Sequence, residues 1–124
     1  MTEPARILKS NEAIDALPSL QKLVSALGVR PRKSLGQNFL FDLNLTRRIA
    51  RAAGALSGTT IEVGPGLGGL TRALLLEGAE QVIAVEKDFR ASHILASLLT
   101  AADGRLELVE GDALKTPLWK IGDT

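Results

Sequence analysis

Thr60-Ile61-Glu62-Val63-Gly64-Pro65-Gly66-Leu67-Gly68-Gly69 is the stretch that decides the fold. A β-branched, apolar run gives way to four glycines and a proline within six residues. Such a run reads as a short strand (60–63) feeding a tight turn, because glycine takes positive φ freely and proline presets a turn. Leu70–Glu77 follows at helical spacing and stops at Gly78. Gly64, Gly66 and Gly69 satisfy G-x-G-x-x-G in the strand–turn–helix context that a ligand loop requires. Gln81–Glu86 is a second strand, almost continuously apolar, as expected when both faces are buried. Asp88 caps a helix that runs to about Ala102, with Ile94, Leu95, Leu98 and Leu99 inward. Leu106–Val109 is a third strand, ending at Gly111-Asp112. The order β-α-β-α-β implies a parallel sheet with right-handed crossovers.

Upstream the pattern is helical. Residues 1–17 are weakly patterned and read as a mobile segment or one short helix. Pro18 is expected to open a helix, with Leu20, Leu23, Val24 and Leu27 at helical spacing and Gly28 beyond its end. Val29–Leu40 reads as an extended loop. Asp42 or Asn44 caps a helix over about 45–54, whose expected apolar face is Leu45, Ile49 and Ala52/Ala53. The expected division is a helical extension over 1–28 and the first part of a Rossmann-like domain over 29–124. A complete doubly wound domain has about six strands. Three are expected here, so the chain is read as the N-terminal part of a longer protein.

Composition excludes several classes. The 124 residues are 45% hydrophobic and 23% charged, with net charge +1, 12 Gly and no Cys. A domain of this size buries roughly two-thirds of its unfolded surface. The ordinary apolar fraction and low net charge argue against disorder. Without cysteine there is no disulfide framework and no thiolate metal site. No apolar run approaches the ~18 residues that span a bilayer, and the first residues lack a signal peptide's apolar core. A soluble, cytoplasmic protein without membrane or metal partners is expected. His93 is the sole histidine and reads as a solvated or partly packed helix residue. Charge is uneven: residues 1–51 hold nine Lys/Arg against four Asp/Glu, and residues 52–124 hold six against ten. The basic part, densest at Arg30, Arg32 and Lys33 and again at Arg47, Arg48 and Arg51, suggests a polyanionic partner.

The acids suggest the ligand. Glu86 ends the second strand 20 residues after Gly66, where a carboxylate accepts both hydrogens of a ribose diol. A dinucleotide would set its pyrophosphate over the helix N-terminus. S-adenosylmethionine has no phosphate and a cationic sulfur, so it suits an acid beside the turn. Glu62, Glu86 and Asp112 close three successive strands. The ordered set favours S-adenosylmethionine, with a nicotinamide dinucleotide as the alternative.

Lys33-Ser34-Leu35-Gly36-Gln37-Asn38-Phe39-Leu40, Glu62–Thr71, Val85-Glu86-Lys87-Asp88 and Gly111-Asp112-Ala113 together resemble the rRNA adenine N6-dimethyltransferases, most closely the bacterial small-subunit type. The resemblance covers roughly Leu20 to Leu114. It implies an α/β chain: the N-terminal half of a Rossmann-like S-adenosylmethionine-dependent methyltransferase fold, with a parallel sheet and helices on both faces, preceded by a helical segment. It implies that Asn38 and Leu40 close over the methionine end of the cofactor and that Gly64 and Gly66 let the backbone approach it. Glu86 would hold the ribose, and Asp112 the adenine amino group. The implied reaction dimethylates two adjacent adenines near the 3′ end of small-subunit rRNA, on the maturing small ribosomal subunit. Arg30, Arg32 and Lys33 would then meet phosphates.

The family's catalytic tetrad, Asn/Asp-Leu/Ile-Pro-Tyr/Phe, does not occur in the sequence. No catalytic residue is therefore assigned, and these 124 residues alone are expected to be inactive. Two alternatives stand beside this reading. One is a large-subunit rRNA adenine methyltransferase conferring antibiotic resistance. The other is a non-catalytic RNA-binding or assembly module.

Overall fold

Three parallel strands form the centre of the computed structural model, which describes residues 2–28, 41–54, 56–88 and 91–115. They are β1 (Thr59–Val63), β2 (Gln81–Glu86) and β3 (Leu106–Glu110), in the order β1-β2-β3. The register pairs Val63 with Val85 and Glu86 with Glu110, so the carboxyl ends lie level. Each strand expected from the sequence is present within one residue of its bounds. Helix α4 (Gly69–Leu76) joins β1 to β2, and α5 (Ala91–Ile94) and α6 (Ala96–Ala102) join β2 to β3. The expected single helix after Asp88 bends at Leu95 (φ −93°, ψ 2°), yet Leu95 N–H still donates to Ala91 and Leu99 N–H to Leu95, each at 2.8 Å.

Strands that step in one direction through right-handed crossovers receive both helical connections on one face. The core has that form: Val82, Ala84 and Leu106 pack with Ala73, Leu74, Leu75, Leu95, Leu98 and Ala102. On the other face Ile83 and Val85 are buried, while Ile61 and Val63 are 37% and 58% exposed. Helices on both faces belong to the whole doubly wound sheet. Among the described residues the order β1-β2-β3 does not reverse, and the helices cover one face.

The N-terminal segment is more structured than its sequence suggests. Helix α1 runs over Glu3–Asp15, capped by Thr2, whose Oγ1 accepts from Ala5 N–H at 3.2 Å. Ser10 and Ile14 are buried. In α2 (Leu20–Ala26), Ser19 is the cap and accepts from Lys22 N–H at 3.3 Å, so Pro18 precedes the cap instead of opening the first turn.

Helix α3 (Leu43–Ala52) is capped by Asp42 rather than Asn44. Its expected apolar face is corrected. Thr46 and Ala50 point inward, whereas Ile49 is 44% exposed and Ala52 and Ala53 lie at the surface. Two features set this rotation. Thr46 can be buried because its hydroxyl is satisfied by backbone carbonyls of the same helix and its cap, Asp42 at 3.3 Å and Leu43 at 3.2 Å. Arg47 reaches the C-cap of α4, donating to Glu77 Oε2 at 2.6 Å.

Two buried arginines bind the helical segment to the sheet layer. Arg105 is fully buried just before β3. Its Nη2 donates to the carbonyls of Leu75 (2.8 Å) and Ala79 (2.6 Å), and its Nη1 to Ser10 Oγ and to Asn11 Oδ1 (2.7 Å). Arg72, on α4, donates to the carbonyls of Pro18 (2.7 Å), Ile14 (3.1 Å) and Leu17 (3.1 Å). These carbonyls lie at and beyond the last turn of α1, where backbone acceptors lack helical partners and the dipole is negative. Burial pulls both guanidinium pKa values below their usual range. Substitution Arg105→Ala should destabilise the chain by about 3 kcal/mol or more, by stranding buried carbonyls. Arg105→Lys should recover only part, since an ammonium lacks the planar fork. Urea unfolding checks both, and a loss below about 1 kcal/mol for Arg105→Ala would remove this role.

Candidate functional site

Parallel strands place their following loops along one edge, and in open α/β sheets that carboxyl edge is where ligands sit. Here the edge carries loop 64–68 after β1, residues 87–88 after β2 and residues 111–115 after β3. Gly64 N–H donates to Val85 C=O at 2.8 Å, and Gly111 N–H donates to Glu86 C=O at 2.9 Å. The loops after β1 and β3 are thereby tied to the middle strand.

Loop 64–68 turns on three glycines at positive φ: Gly64 (+69°), Gly66 (+55°) and Gly68 (+90°). A Cβ built on Gly64 or Gly66 meets no atom of the described residues within 4 Å, so among these residues the space over the loop backbone is open. Gly68 differs. A Cβ there would lie 2.4 Å from Leu95 Cδ2, inside the core. The glycine that permits close packing is thus Gly68. Gly69, which completes the G-x-G-x-x-G match, is the first residue of α4 and has no positive φ.

Glu86 and Asp112 stand at this edge as expected, both half-buried. Glu86 Oε1 accepts from Asp88 N–H at 3.1 Å, which fixes the carboxylate against the following turn. Asp112 Oδ1 accepts from Leu114 N–H at 2.9 Å, and its carbonyl accepts from Lys115 N–H at 2.9 Å.

Glu62 does not join them. It is buried and turned toward α4, where Thr71 Oγ1 donates to its Oε1 at 2.5 Å. Burial pushes its carboxyl above the usual carboxylate range, and the Thr71 hydrogen bond offsets part of that rise. The sequence shows an acid before the glycines, but strand alternation decides which side it takes. Glu62 shares its face with the core residues Val82 and Ala84.

Asn38, Leu40, Arg30, Arg32 and Lys33 lie outside the described residues. Of the second basic group, Arg47 and Arg51 pair with Glu77 at 2.6 and 3.3 Å, and Arg48 is exposed. His93 is exposed. Among the described residues no group of three His, Asp or Glu side chains could hold a metal ion, and no helix is long and apolar enough to cross a membrane.

A family model described as ribosomal RNA adenine dimethylase matches residues 28–121. The chain belongs to that family. Among its relatives are proteins named ribosomal RNA small subunit methyltransferase A. The one from Agrobacterium fabrum is 61% identical over 105 residues, covering 84% of this chain and 38% of the relative. The one from Paracoccus denitrificans is 60% identical over 104 residues, covering 83% and 37%. The one from Rhodospirillum rubrum is 54% identical over 110 residues, covering 88% and 38%. The chain thus spans under two-fifths of the length of these relatives. The family match takes in the glycine loop, Glu86 and Asp112 together.

Substitution Gly68→Ala should cost about 2–4 kcal/mol, combining left-handed strain with overpacking against Leu95. Thermal unfolding measures it, and Gly66→Ala, which meets only the strain, should cost less. Glu62 gives stability a pH signature. A group whose pKa is raised on folding contributes stability that is complete below its ordinary value of 4.5 and is lost as pH rises through the folded value. Glu77 has the opposite sign, because its pKa is lowered, chiefly by the Arg47 hydrogen bond. Its contribution is present above 4.5 and lost as pH falls through the folded value. Unfolding free energy followed against pH should therefore decline less on the alkaline side in Glu62→Gln than in the parent.

Proposed function

We propose that this chain is the cofactor-holding part of a small-subunit rRNA adenine N6-dimethyltransferase, with S-adenosylmethionine as methyl donor. The proposed substrate is two adjacent adenines near the 3′ end of the rRNA, methylated in the cytoplasm on the maturing small subunit. The observation that carries this reading is the level carboxyl edge, where an open glycine loop, Glu86 and Asp112 converge in a member of the rRNA adenine dimethylase family. The names of the relatives support the small subunit as target.

The residues fit such a ligand. The bare backbone at Gly64 and Gly66 leaves room for a close approach. Glu86, oriented by the Asp88 N–H, would accept from the ribose hydroxyls. Asp112 would accept from the adenine amino group. Asn38 and Leu40 would cover the methionine end. When bound, S-adenosylmethionine supplies a methyl group on a cationic sulfur, so the protein's part is positioning. The acceptor adenine needs its amino group gripped and its ring stacked outside the helix. The tetrad for that task is not among these 124 residues. Arg30, Arg32 and Lys33, with exposed Arg48, would neutralise phosphates and release counterions.

Titration calorimetry of the purified chain with S-adenosylmethionine should show saturable 1:1 binding that NAD does not displace. Glu86→Ala and Asp112→Ala should each weaken it at least about tenfold, as loss of a charge-assisted hydrogen bond does. The chain should incorporate no tritiated methyl into unmodified small subunits. Absence of saturable binding overturns the cofactor assignment, and methyl incorporation overturns the placing of the acceptor machinery elsewhere.

A further inference from the structure

Glu62 and Thr71 bracket the glycine loop, and the cofactor contacts proposed above use neither. Glu62 is the penultimate residue of β1, and Thr71 is the third residue of α4. The eight residues between them contain the entire loop. Both side chains are buried, and the Thr71 hydroxyl donates to the Glu62 carboxylate at 2.5 Å. Besides this bracket, Gly64 N–H to Val85 C=O (2.8 Å), Gly68 N–H to Pro65 C=O (2.9 Å) and Arg72 N–H to Gly68 C=O (2.9 Å) hold the loop. Three glycines at positive φ make it costly to order, because glycine loses more conformational freedom than any other residue. A bond across the loop's base removes part of that freedom in advance, as preorganisation does for any binding loop. The same bond carries the first turn of α4 onto the end of β1, where Gly68 already closes on Leu95.

We infer that Glu62 is a positioning residue, which fixes the cofactor loop through the Thr71 hydroxyl and does not itself meet the cofactor's cationic end. The inference rests on the proposed S-adenosylmethionine site for its consequence. Its geometry stands apart from that site. Glu62 and Thr71 face each other on the helical side of the sheet, while the space over Gly64 and Gly66 is open. A carboxylate acting directly on the sulfonium would depend on its charge. A carboxylate acting through Thr71 depends on its acceptor oxygen.

The difference is measurable on the full chain. Hydrogen–deuterium exchange over residues 63–70 is recorded without ligand, followed by titration with S-adenosylmethionine and with S-adenosylhomocysteine, which lacks the sulfonium charge. Thr71→Val keeps the shape and removes the donor. It should speed exchange over 63–70 about tenfold, leave β2 unchanged, and weaken both ligands equally by about tenfold, the equivalent of ~1.4 kcal/mol. Thr71→Ser and Glu62→Gln each keep the hydrogen bond and should stay within about threefold of the parent. The double variant Thr71→Val/Glu62→Gln holds no stranded charge and should behave as Thr71→Val. Unchanged exchange in Thr71→Val overturns the inference. So does a loss in Glu62→Gln confined to S-adenosylmethionine, the mark of direct charge contact. If the parent binds neither ligand while Thr71→Val still loosens 63–70, the cofactor reading fails and the bracket stands.

Discussion

A guanidinium with no access to water is the constraint around which this molecule is arranged. Arg105 carries a full charge into the interior, and a buried charge is tolerated only when its hydrogen-bonding capacity is met. No carboxylate lies within ion-pair distance of it among the described residues. Its partners are instead the carbonyls of Leu75 and Ala79 and the side chains of Ser10 and Asn11. Those four groups belong to the end of α4, the turn into β2, and α1. One side chain therefore fixes three parts of the chain relative to the start of β3. Arg72 acts one turn further on, at the C-terminal end of α1, where its two Nη atoms meet carbonyls while its Nε has no hydrogen-bond partner among the described residues. The helical N-terminus is built into the sheet layer by cations binding backbone dipoles, with apolar packing of Ile14 between them.

The carboxyl edge inherits its order from this scaffold. Helix α4 is held at its C-terminal end by Arg105, along its length by Arg72, and at its start by Gly68 and Thr71. The glycine loop is the segment between that fixed helix and β1. Its glycines divide the work. Among the described residues Gly64 and Gly66 leave open space above the backbone, and Gly68 removes a side chain that would collide with the core. Glu86 and Asp112 are set by register, one at the end of β2 and one two residues beyond β3.

Much of this was legible in the sequence because local pattern and fold agree. The strands announced themselves as apolar runs between glycines, and the alternation of strand and helix fixed the parallel sheet. Glu86 and Asp112 were readable because strand ends of a parallel sheet must share an edge. What the sequence hid depended on contacts far away in the chain. Helix α1 is mostly exposed, with polar and apolar residues mixed on its surface, and its anchor is an arginine some 95 positions later. Helix α3 presents Thr46 inward and Ile49 outward, against hydropathy, since an internal hydroxyl bond and a pair with Glu77 outweigh one isoleucine. Glu62 read as a third ligand-facing acid because spacing alone does not show the face of a strand. The packing role of Gly68 required the position of Leu95.

The distance in sequence between α1 and Arg105 has a consequence for how the chain is made. Synthesis proceeds from the N-terminus, so α1 emerges before the sheet layer it packs against. Its hydrogen-bond partner is added about 95 residues later. At 5–20 residues per second the interval is roughly 5–20 s. During that time α1 has neither Arg105 nor α6 to pack against, and a helix of 13 residues is marginal alone in water. Helix α1 thus gains the contacts that Arg72 and α4 offer before those of Arg105, and its full set of partners is complete only once the start of β3 has been made.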